Sequence, residues 1–260
     1  MRLARLIYAF IYLAVLYTPI ALVVLFSFNS SVYIAFPLRG FTLQWYEAAA
    51  ANPQLLAALK NSVLVALATS VLSTMVGIFA AMATTRYQFA GRQPAMLALF
   101  APLALPTVVA GVALLSIFML SGIALSLFTV IIGHIMICTP FAYGIMTSRL
   151  EGMNPDFERA SMDLGYPPVS TFFHITLPLA MPGVVSSLLL TFTISFDEFI
   201  LAFFLSSNNP TLPVFMWSQM RFPDRLPLVL ALATVVISVS AIMIILSQIL
   251  RNRRTSATGS

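Results

Sequence analysis

The sequence predicts an all-α integral membrane protein with six transmembrane helices, and three observations lead to that prediction. Of the 260 residues, 60% are hydrophobic and only 8% are charged, whereas about 25% of the residues of a soluble domain are charged. The apolar residues form charge-free runs long enough to cross a bilayer, which takes about 20 residues. The basic residues lie between or beside these runs, as in the loops of multi-pass proteins. A soluble globular class is therefore excluded.

Each predicted span is a stretch between charged residues. The first is too long for a secretory signal peptide and lacks the small-residue cleavage pattern. The 56 uncharged residues between Arg92 and Arg149 are enough for two crossings, with a turn near Ser121 and Gly122. The chain is thus predicted to form a single transmembrane domain, 1–260, with spans at about 6–28, 61–85, 95–120, 126–148, 182–205 and 226–250.

Two prolines and a histidine stand out inside the predicted spans. Pro102 and Pro106 lie one turn apart in the third span, where a simple kink is expected more often than a break that lines a pathway. His134 in the fourth span is predicted to be hydrogen-bonded inside the helix bundle rather than to relay protons. Neither feature indicates a function by itself.

The distribution of basic residues predicts the orientation, because lysine and arginine in short loops are retained on the cytoplasmic side. With the N-terminus inside, nine of the thirteen basic residues lie on the cytoplasmic side and four lie outside. Both termini and the segment 149–181 are therefore predicted to be cytoplasmic, while 29–60 and 206–225 face outward.

Residues that would support other functions are too few or too scattered. The basic residues form no patch, which argues against a nucleic-acid partner. The single cysteine, Cys138, allows no intramolecular disulfide, and His134 and His174 are too few for a histidine-based metal site. Lys60 is the only lysine and follows Leu59, so the chain has no G-x-x-x-x-G-K-[ST] phosphate-binding loop. We therefore predict no catalytic site, no metal site and no cofactor bound by this chain itself.

Polar residues are concentrated in the segment 149–181. Asn154 and Pro155 predict a helix start and Gly165 predicts its end, about ten residues later. A helix this short is marginal in water and must pack against something. Interfacial membrane helices usually carry basic residues, whereas this segment holds four of the eight acidic residues, namely Glu151, Asp156, Glu158 and Asp163. A protein partner is the better interpretation.

A second short helix is predicted from about Pro168 to Thr176. Pro178 and Pro182 are then expected to break the chain, because a proline inside a helix removes a backbone hydrogen bond. The fifth span would accordingly begin at Pro182.

The spacing of residues in this segment is distinctive. Arg159-Ala160-Ser161 is followed after three residues by Gly165, and after nine more by Ile175-Thr176-Leu177-Pro178. These residues resemble the EAA loop of the permease subunits of binding-protein-dependent ABC importers. The wider chain looks like the second permease subunit of spermidine/putrescine-type importers, on the stretches Ser27-Phe28-Asn29-Ser30, Phe41-Thr42-Leu43-Gln44-Trp45-Tyr46, Asp163-Leu164-Gly165 and Ser195-Phe196-Asp197-Glu198-Phe199. Two positions depart from the motif: Arg159 replaces its glutamate, with Glu158 one position earlier, and Ser161 replaces its second alanine.

The resemblance implies a type I ABC importer transmembrane-domain fold, with a cytoplasmic coupling helix in the EAA loop 149–181. In the family this helix docks in a cleft of the ATP-hydrolysing subunit and transmits its closure to the membrane spans. The residues implied to line that contact are Glu158, Arg159, Ala160, Ser161, Asp163 and Gly165.

The resemblance also implies the partners. The chain would pair with a second permease subunit and two ATP-binding subunits, which hold ATP and Mg, and a solute-binding protein would deliver the solute. It would lie among the lipids of a bacterial inner membrane. The favoured solute is a polyamine, with an opine, a phosphonate or another small solute as the alternative. An ATP-independent secondary transporter or channel is the competing class, which predicts inverted repeats that the sequence does not convincingly contain.

Asp197 and Glu198 are the only acidic residues inside a predicted span. A carboxylate there is costly unless it faces water, a partner or a substrate. These two acids would attract a cationic amine in the translocation path, or they would pair with arginines of the partner permease or cap the local backbone. Neighbours on a helix point about 100° apart, so one can face the path while the other faces a neighbouring element.

Overall fold

The structure is a computed structural model that describes the backbone of residues 2–238 and the side chains of residues 5–238. In this part of the chain every regular element is helical, and an isolated bridge between Asn29 and Phe41 is the only strand-like pairing. The helices are α1 (Arg2–Ser27), α2 (Gln44–Ala50), α3 (Pro53–Arg86), α4 (Arg92–Ala104), α5 (Thr107–Leu120), α6 (Leu127–Glu151), α7 (Asp156–Asp163), α8 (Pro168–Thr171), α9 (Leu177–Asp197), α10 (Ile200–Leu205) and α11 (Leu212–Gln219). Residues 226–238 are also helical.

Four helices among the described residues are long and apolar enough to cross a membrane: α1, α3, α6 and the continuous stretch Pro168–Asp197. The pair of α4 and α5 adds a fifth if it counts as one bent span. The sixth predicted span, 226–250, is helical over 226–238, and its remainder lies outside the described residues. The all-helical membrane class is therefore confirmed, and the count of six spans stays a prediction.

The third predicted span, 95–120, is broken rather than kinked. Helices α4 and α5 meet at 108°, with Leu105 in an extended conformation (φ −94°, ψ 139°). Pro106 explains the break, because its ring excludes the preceding residue from the helical region and it has no N–H to donate. Pro102, one turn earlier, stays inside α4. The expectation of a simple kink was wrong.

The fifth predicted span, 182–205, is displaced at both ends. The predicted helix from Pro168 to Thr176 is present as α8 and a π-helical turn, Phe172–Thr176, but the predicted breaks at Pro178 and Pro182 are wrong, because this helix runs straight on into α9. Pro178 falls in the first turn of α9, directly after that wider turn, where a missing N–H costs little. At the other end α9 stops at Asp197, and α10 begins a new helix at Ile200.

The described residues divide into two compact units, one formed by the residues up to Leu56 together with those from Met216 onward, and the other by Ala57–Phe215. In the first unit two of the stretches that carry the family resemblance fold onto each other. The N–H of Thr42 donates to the carbonyl of Phe28 over 2.8 Å, and the indole N–H of Trp45 donates to the carbonyl of Asn29 over 2.8 Å. Separate stretches of sequence thus form one folded connection.

In the second unit, glycines allow close helix packing around α6. A Cβ on Gly77 of α3 would lie 2.7 Å from the Cβ of Ala142, and a Cβ on Gly183 of α9 would lie 2.8 Å from the Cγ of Arg149. Small residues are the usual means of close approach between membrane helices. This packing brings the ends of α3, α6 and α9 together beside α7.

Candidate functional site

The ends of α7 are fixed by local hydrogen bonds. At its start the Oδ1 atom of Asn154 accepts the backbone N–H of Asp156 over 3.0 Å, which satisfies a free donor of the first turn. At its end Gly165 has φ +90°, and the N–H groups of Gly165 and the next residue return to carbonyls of the last turn. This is a Schellman motif, in which the left-handed conformation favours glycine. The predicted boundaries of the helix are confirmed to within a residue or two.

The two faces of α7 are reversed relative to a helix packed on an apolar core. Phe157 and Leu164, at helical spacing with Ala160, are 57% and 80% exposed. Ser161 is the only buried residue of the helix, and Glu158 points the same way. The apolar face is therefore directed away from the other residues that the structure describes.

Glu158 is held by an ion pair with Arg86, the last residue of α3. The Nε and Nη2 atoms of Arg86 donate to the two carboxylate oxygens of Glu158 over 2.8 and 3.3 Å, and the hydroxyl of Thr176 donates to the same carboxylate over 3.0 Å. Nη2 of Arg86 also donates to the carbonyl of Leu150 near the end of α6, over 3.2 Å. Both charged side chains are only 12% exposed. This geometry is bidentate and charge-assisted, which is the strong form of such a contact.

Ser161 makes the second inward contact of α7. Its hydroxyl lies 3.0 Å from the hydroxyl of Thr171 in α8, and both side chains are buried. On the outer side Arg159 pairs with Asp156 over 3.1 Å, with 71% and 68% of the two side chains exposed. An exposed pair of this kind contributes little to stability.

The six residues predicted to form the coupling contact therefore separate into two groups. Arg159, Ala160, Asp163 and Gly165 are exposed, whereas Glu158 and Ser161 are engaged by other parts of the chain. Sequence reasoning missed Arg86, Thr171 and Thr176. In the sequence Arg86 is only one of the nine basic residues that predict the orientation, and its partner lies 72 residues away.

The two neighbouring acids at the end of α9 differ in the same manner. Asp197 is exposed, and its carboxylate has no hydrogen-bond partner among the residues that the structure describes. Glu198 is partly buried, and its Oε1 atom accepts the backbone N–H of Leu201 over 3.0 Å, in the first turn of α10. Glu198 thus caps local backbone, which is one of the alternatives that the sequence left open for the two acids.

The two faces of α9 differ in burial in the same way as the two acids at its end. Ser186 and Thr193, which share the face of Asp197, are exposed, and their hydroxyls bond back to carbonyls of their own helix. On the other face Ser187 is buried and lies 3.0 Å from the hydroxyl of Thr74 in α3. The exposed polar face is therefore the one that carries Asp197.

His134 lies on the buried side of this helix pair. Its Nδ1 atom is 2.8 Å from the hydroxyl of Ser195 in α9, and its side chain is fully buried. The prediction of a histidine that is hydrogen-bonded within the bundle is confirmed.

Comparison with known proteins agrees with this geometry. Residues 73–256 match the family described as binding-protein-dependent transport system inner membrane component. The chain is 36% identical to the spermidine/putrescine transport system permease protein PotC of Haemophilus influenzae, with 95% of each chain covered. It is 31% identical to the putrescine transport system permease protein PotI of Escherichia coli, with 88% of this chain and 83% of the relative covered.

A solved structure shares the fold. It is a chain of a bacterial ABC transporter involved in the import of the acidic polysaccharide alginate, and it superimposes with a TM-score of 0.74 at 14% identity, covering 96% of this chain and 95% of that one. Because two of the relatives exceed 30% identity over most of the chain, the likeness extends beyond fold. This chain belongs to the family of inner membrane components of binding-protein-dependent transport systems, the multi-pass permease subunits of ABC importers.

Proposed function

We propose that the chain is one of two permease subunits of an ATP-driven importer for a polyamine of the spermidine or putrescine class. A solute-binding protein delivers the polyamine, which crosses between this chain and a second permease. Two ATP-binding subunits, with ATP and Mg, supply the energy. The observation that carries the substrate class is the exposed Asp197 at the end of α9, taken together with the polyamine permeases among the relatives.

In this proposal α7 is the coupling helix. Its docking face consists of Phe157, Ala160 and Leu164, because large exposed apolar side chains on one face are typical of a protein contact. Arg159 and Asp163 flank that face, and Gly165 lets the chain reverse behind it. Glu158 and Ser161, on the opposite side of the helix, hold it in place. A membrane surface fits poorly, since the helix has three acidic residues and one basic residue.

The proposed orientation follows from the basic residues. Both termini and α7 lie on the cytoplasmic side, where the ATP-binding subunits have access, in a bacterial inner membrane. The end of α9 then lies toward the outer side, where the solute arrives. Support comes from the nine basic residues that this orientation places inside, against four outside.

The translocation path follows the exposed face of α9. Asp197 attracts the ammonium groups of the solute, and Ser186 and Thr193 give the same face two hydroxyls. Glu198 contributes mainly by capping α10, which fixes the position at which α9 ends. An exposed carboxylate favours a cation over a solute with net negative charge, such as a phosphonate.

The test is uptake by the assembled complex. The tagged chain is purified from its native membrane with its co-purifying subunits, reconstituted in liposomes with the solute-binding protein, and supplied with ATP. Labelled spermidine and putrescine are compared with an opine and a phosphonate. We expect ATP-dependent polyamine uptake. ATP-dependent uptake of another solute would refute the polyamine assignment alone, and uptake without ATP would refute the importer.

A further inference from the structure

We infer that Arg86 and Glu158 form a latch that makes the coupling helix and the inner end of α3 move as one piece. The inference rests on the proposed docking of α7 to an ATP-binding subunit. In it, Arg86 and Glu158 are positioning residues: neither needs to touch the solute or the nucleotide, and both determine how docking is transmitted to the spans.

The latch joins four elements at one point. Arg86 ends α3 and contacts Glu158 in α7 and the carbonyl of Leu150 near the end of α6. Glu158 in turn accepts the hydroxyl of Thr176, in the π-helical turn that leads into α9. A displacement of α7 is therefore passed to the ends of three membrane helices through charge-assisted hydrogen bonds.

The remaining attachment of α7 is slight. The helix has eight residues, none of its apolar side chains is buried, and it belongs to neither apolar core cluster of the described part of the chain. Its other inward side-chain contact is the hydroxyl pair of Ser161 and Thr171. Without the ion pair, an isolated helix of this length has little intrinsic stability and would shift or fray under load rather than transmit movement.

The geometry also favours an inward role for Glu158 over a direct contact with the ATP-binding subunit. Oε2 accepts Nε of Arg86, and Oε1 accepts both Nη2 of Arg86 and the hydroxyl of Thr176. Arginine is required here because its planar fork reaches the carboxylate with two donors and a carbonyl at the same time. A lysine would offer a single ammonium on a flexible stem.

The experiment measures ATP hydrolysis and solute uptake in parallel in the reconstituted complex. The variants are Arg86→Gln, Glu158→Gln and the charge swap Arg86→Glu with Glu158→Arg, and the control is Arg92→Gln, which removes an exposed arginine of the next helix. We expect each single variant to hydrolyse roughly tenfold more ATP per molecule imported, the swap to recover part of that loss, and the control to match the unaltered complex.

The outcomes separate the two proposals. If the unaltered complex imports solute and the single variants keep its ratio of ATP to solute, the latch is refuted while the importer stands. If the unaltered complex contains no ATP-binding subunit, the proposed function itself fails.

A second measurement covers the case in which the single variants do not assemble. Labels at the exposed residues Tyr87 and Asp156 report the distance between the end of α3 and α7 by electron paramagnetic resonance, since Cys138 is the only native cysteine and is buried. The latch predicts a narrow distance distribution that is the same with and without ATP. A distance that changes on ATP binding would overturn it.

Discussion

In two regions of the molecule, one of two adjacent charged residues bonds to other parts of the chain while its neighbour is exposed. In α7, Glu158 is turned inward onto Arg86 while Arg159 is exposed. At the end of α9, Glu198 accepts the backbone N–H of Leu201 while Asp197 is exposed. In each pair one residue shapes the fold and its neighbour is available to a partner or a solute. The two regions differ in how far apart the bonded residues lie along the chain. Glu158 bonds to Arg86, 72 residues away, whereas Glu198 bonds to Leu201, three residues away.

The largest expected effect is that of Glu158→Ala. It leaves the guanidinium of Arg86 largely buried without its counter-charge, so we expect a loss of about 3 kcal/mol in the free energy of unfolding. Thermal unfolding of the purified complex measures it. Arg159→Ala is the matched control, because it removes an exposed charge from the same helix and should cost less than about 1 kcal/mol. Equal losses for the two variants would contradict the distinction between inner and outer charges.

The next effect concerns the outward face of α7. Leu164→Ser should weaken association with the ATP-binding subunit by roughly tenfold, since it removes a large exposed apolar side chain from the proposed docking face. The ratio of subunits recovered on affinity purification measures this. Phe173→Ser is the control, because Phe173 is also a large exposed apolar residue (57% exposed, against 80% for Leu164) but lies in the π-helical turn Phe172–Thr176, away from the proposed docking face. Retention of the ATP-binding subunit by the Leu164 variant would show that the docking face lies elsewhere.

Removal of the exposed acid tests the region at the end of α9. Asp197→Asn should lower polyamine uptake at sub-saturating concentration by roughly tenfold and leave assembly intact, because it removes the exposed charge that we propose attracts the cation. Uptake by reconstituted complexes is the measurement. Asp224→Asn serves as control, since it deletes an exposed acid in the short 3₁₀ helix Pro223–Arg225, away from α9 in sequence. If both variants lost polyamine uptake to a similar extent, the loss would be due to the change in net charge and not to the position of Asp197.

The smallest effect is that of the neighbouring cap. Glu198→Gln keeps a side-chain oxygen for the N–H of Leu201 and should change unfolding by less than about 0.5 kcal/mol, whereas Glu198→Ala should cost about 1 kcal/mol. The two variants are compared by the unfolding midpoints of their complexes. If Glu198→Gln instead lowered polyamine uptake as much as Asp197→Asn does, both acids would act on the solute.

The features that the sequence predicted well are those that depend on neighbouring residues alone. The bounds of α7 follow from Asn154 and Gly165, whose capping chemistry is fixed by the residue and its neighbours. The charge-free runs predicted the membrane helices for a similar reason, since hydropathy is a property of each segment alone. The polar face of α9 with Asp197 also followed from helical spacing.

What the sequence did not predict depends on packing or on backbone geometry. Pro102 and Pro106 look alike in sequence, yet one stays inside a helix and the other ends it. Pro178 was read as a break because the preceding π-helical turn is not visible in sequence. The partner of Glu158 lies 72 residues away, so only the tertiary structure distinguishes an anchoring charge from a docking charge.

Site-specific photo-cross-linking in the native membrane shows directly whether α7 docks on an ATP-binding subunit. A benzophenone amino acid replaces Leu164 on the outer face of α7, and mass spectrometry identifies the protein captured on illumination. We expect position 164 to capture an ATP-binding subunit that carries a phosphate-binding loop, and we expect no such capture when the label replaces the buried Ser161. Cross-links from position 164 only to lipid or to this chain itself would contradict it, and would favour a transporter that works without ATP.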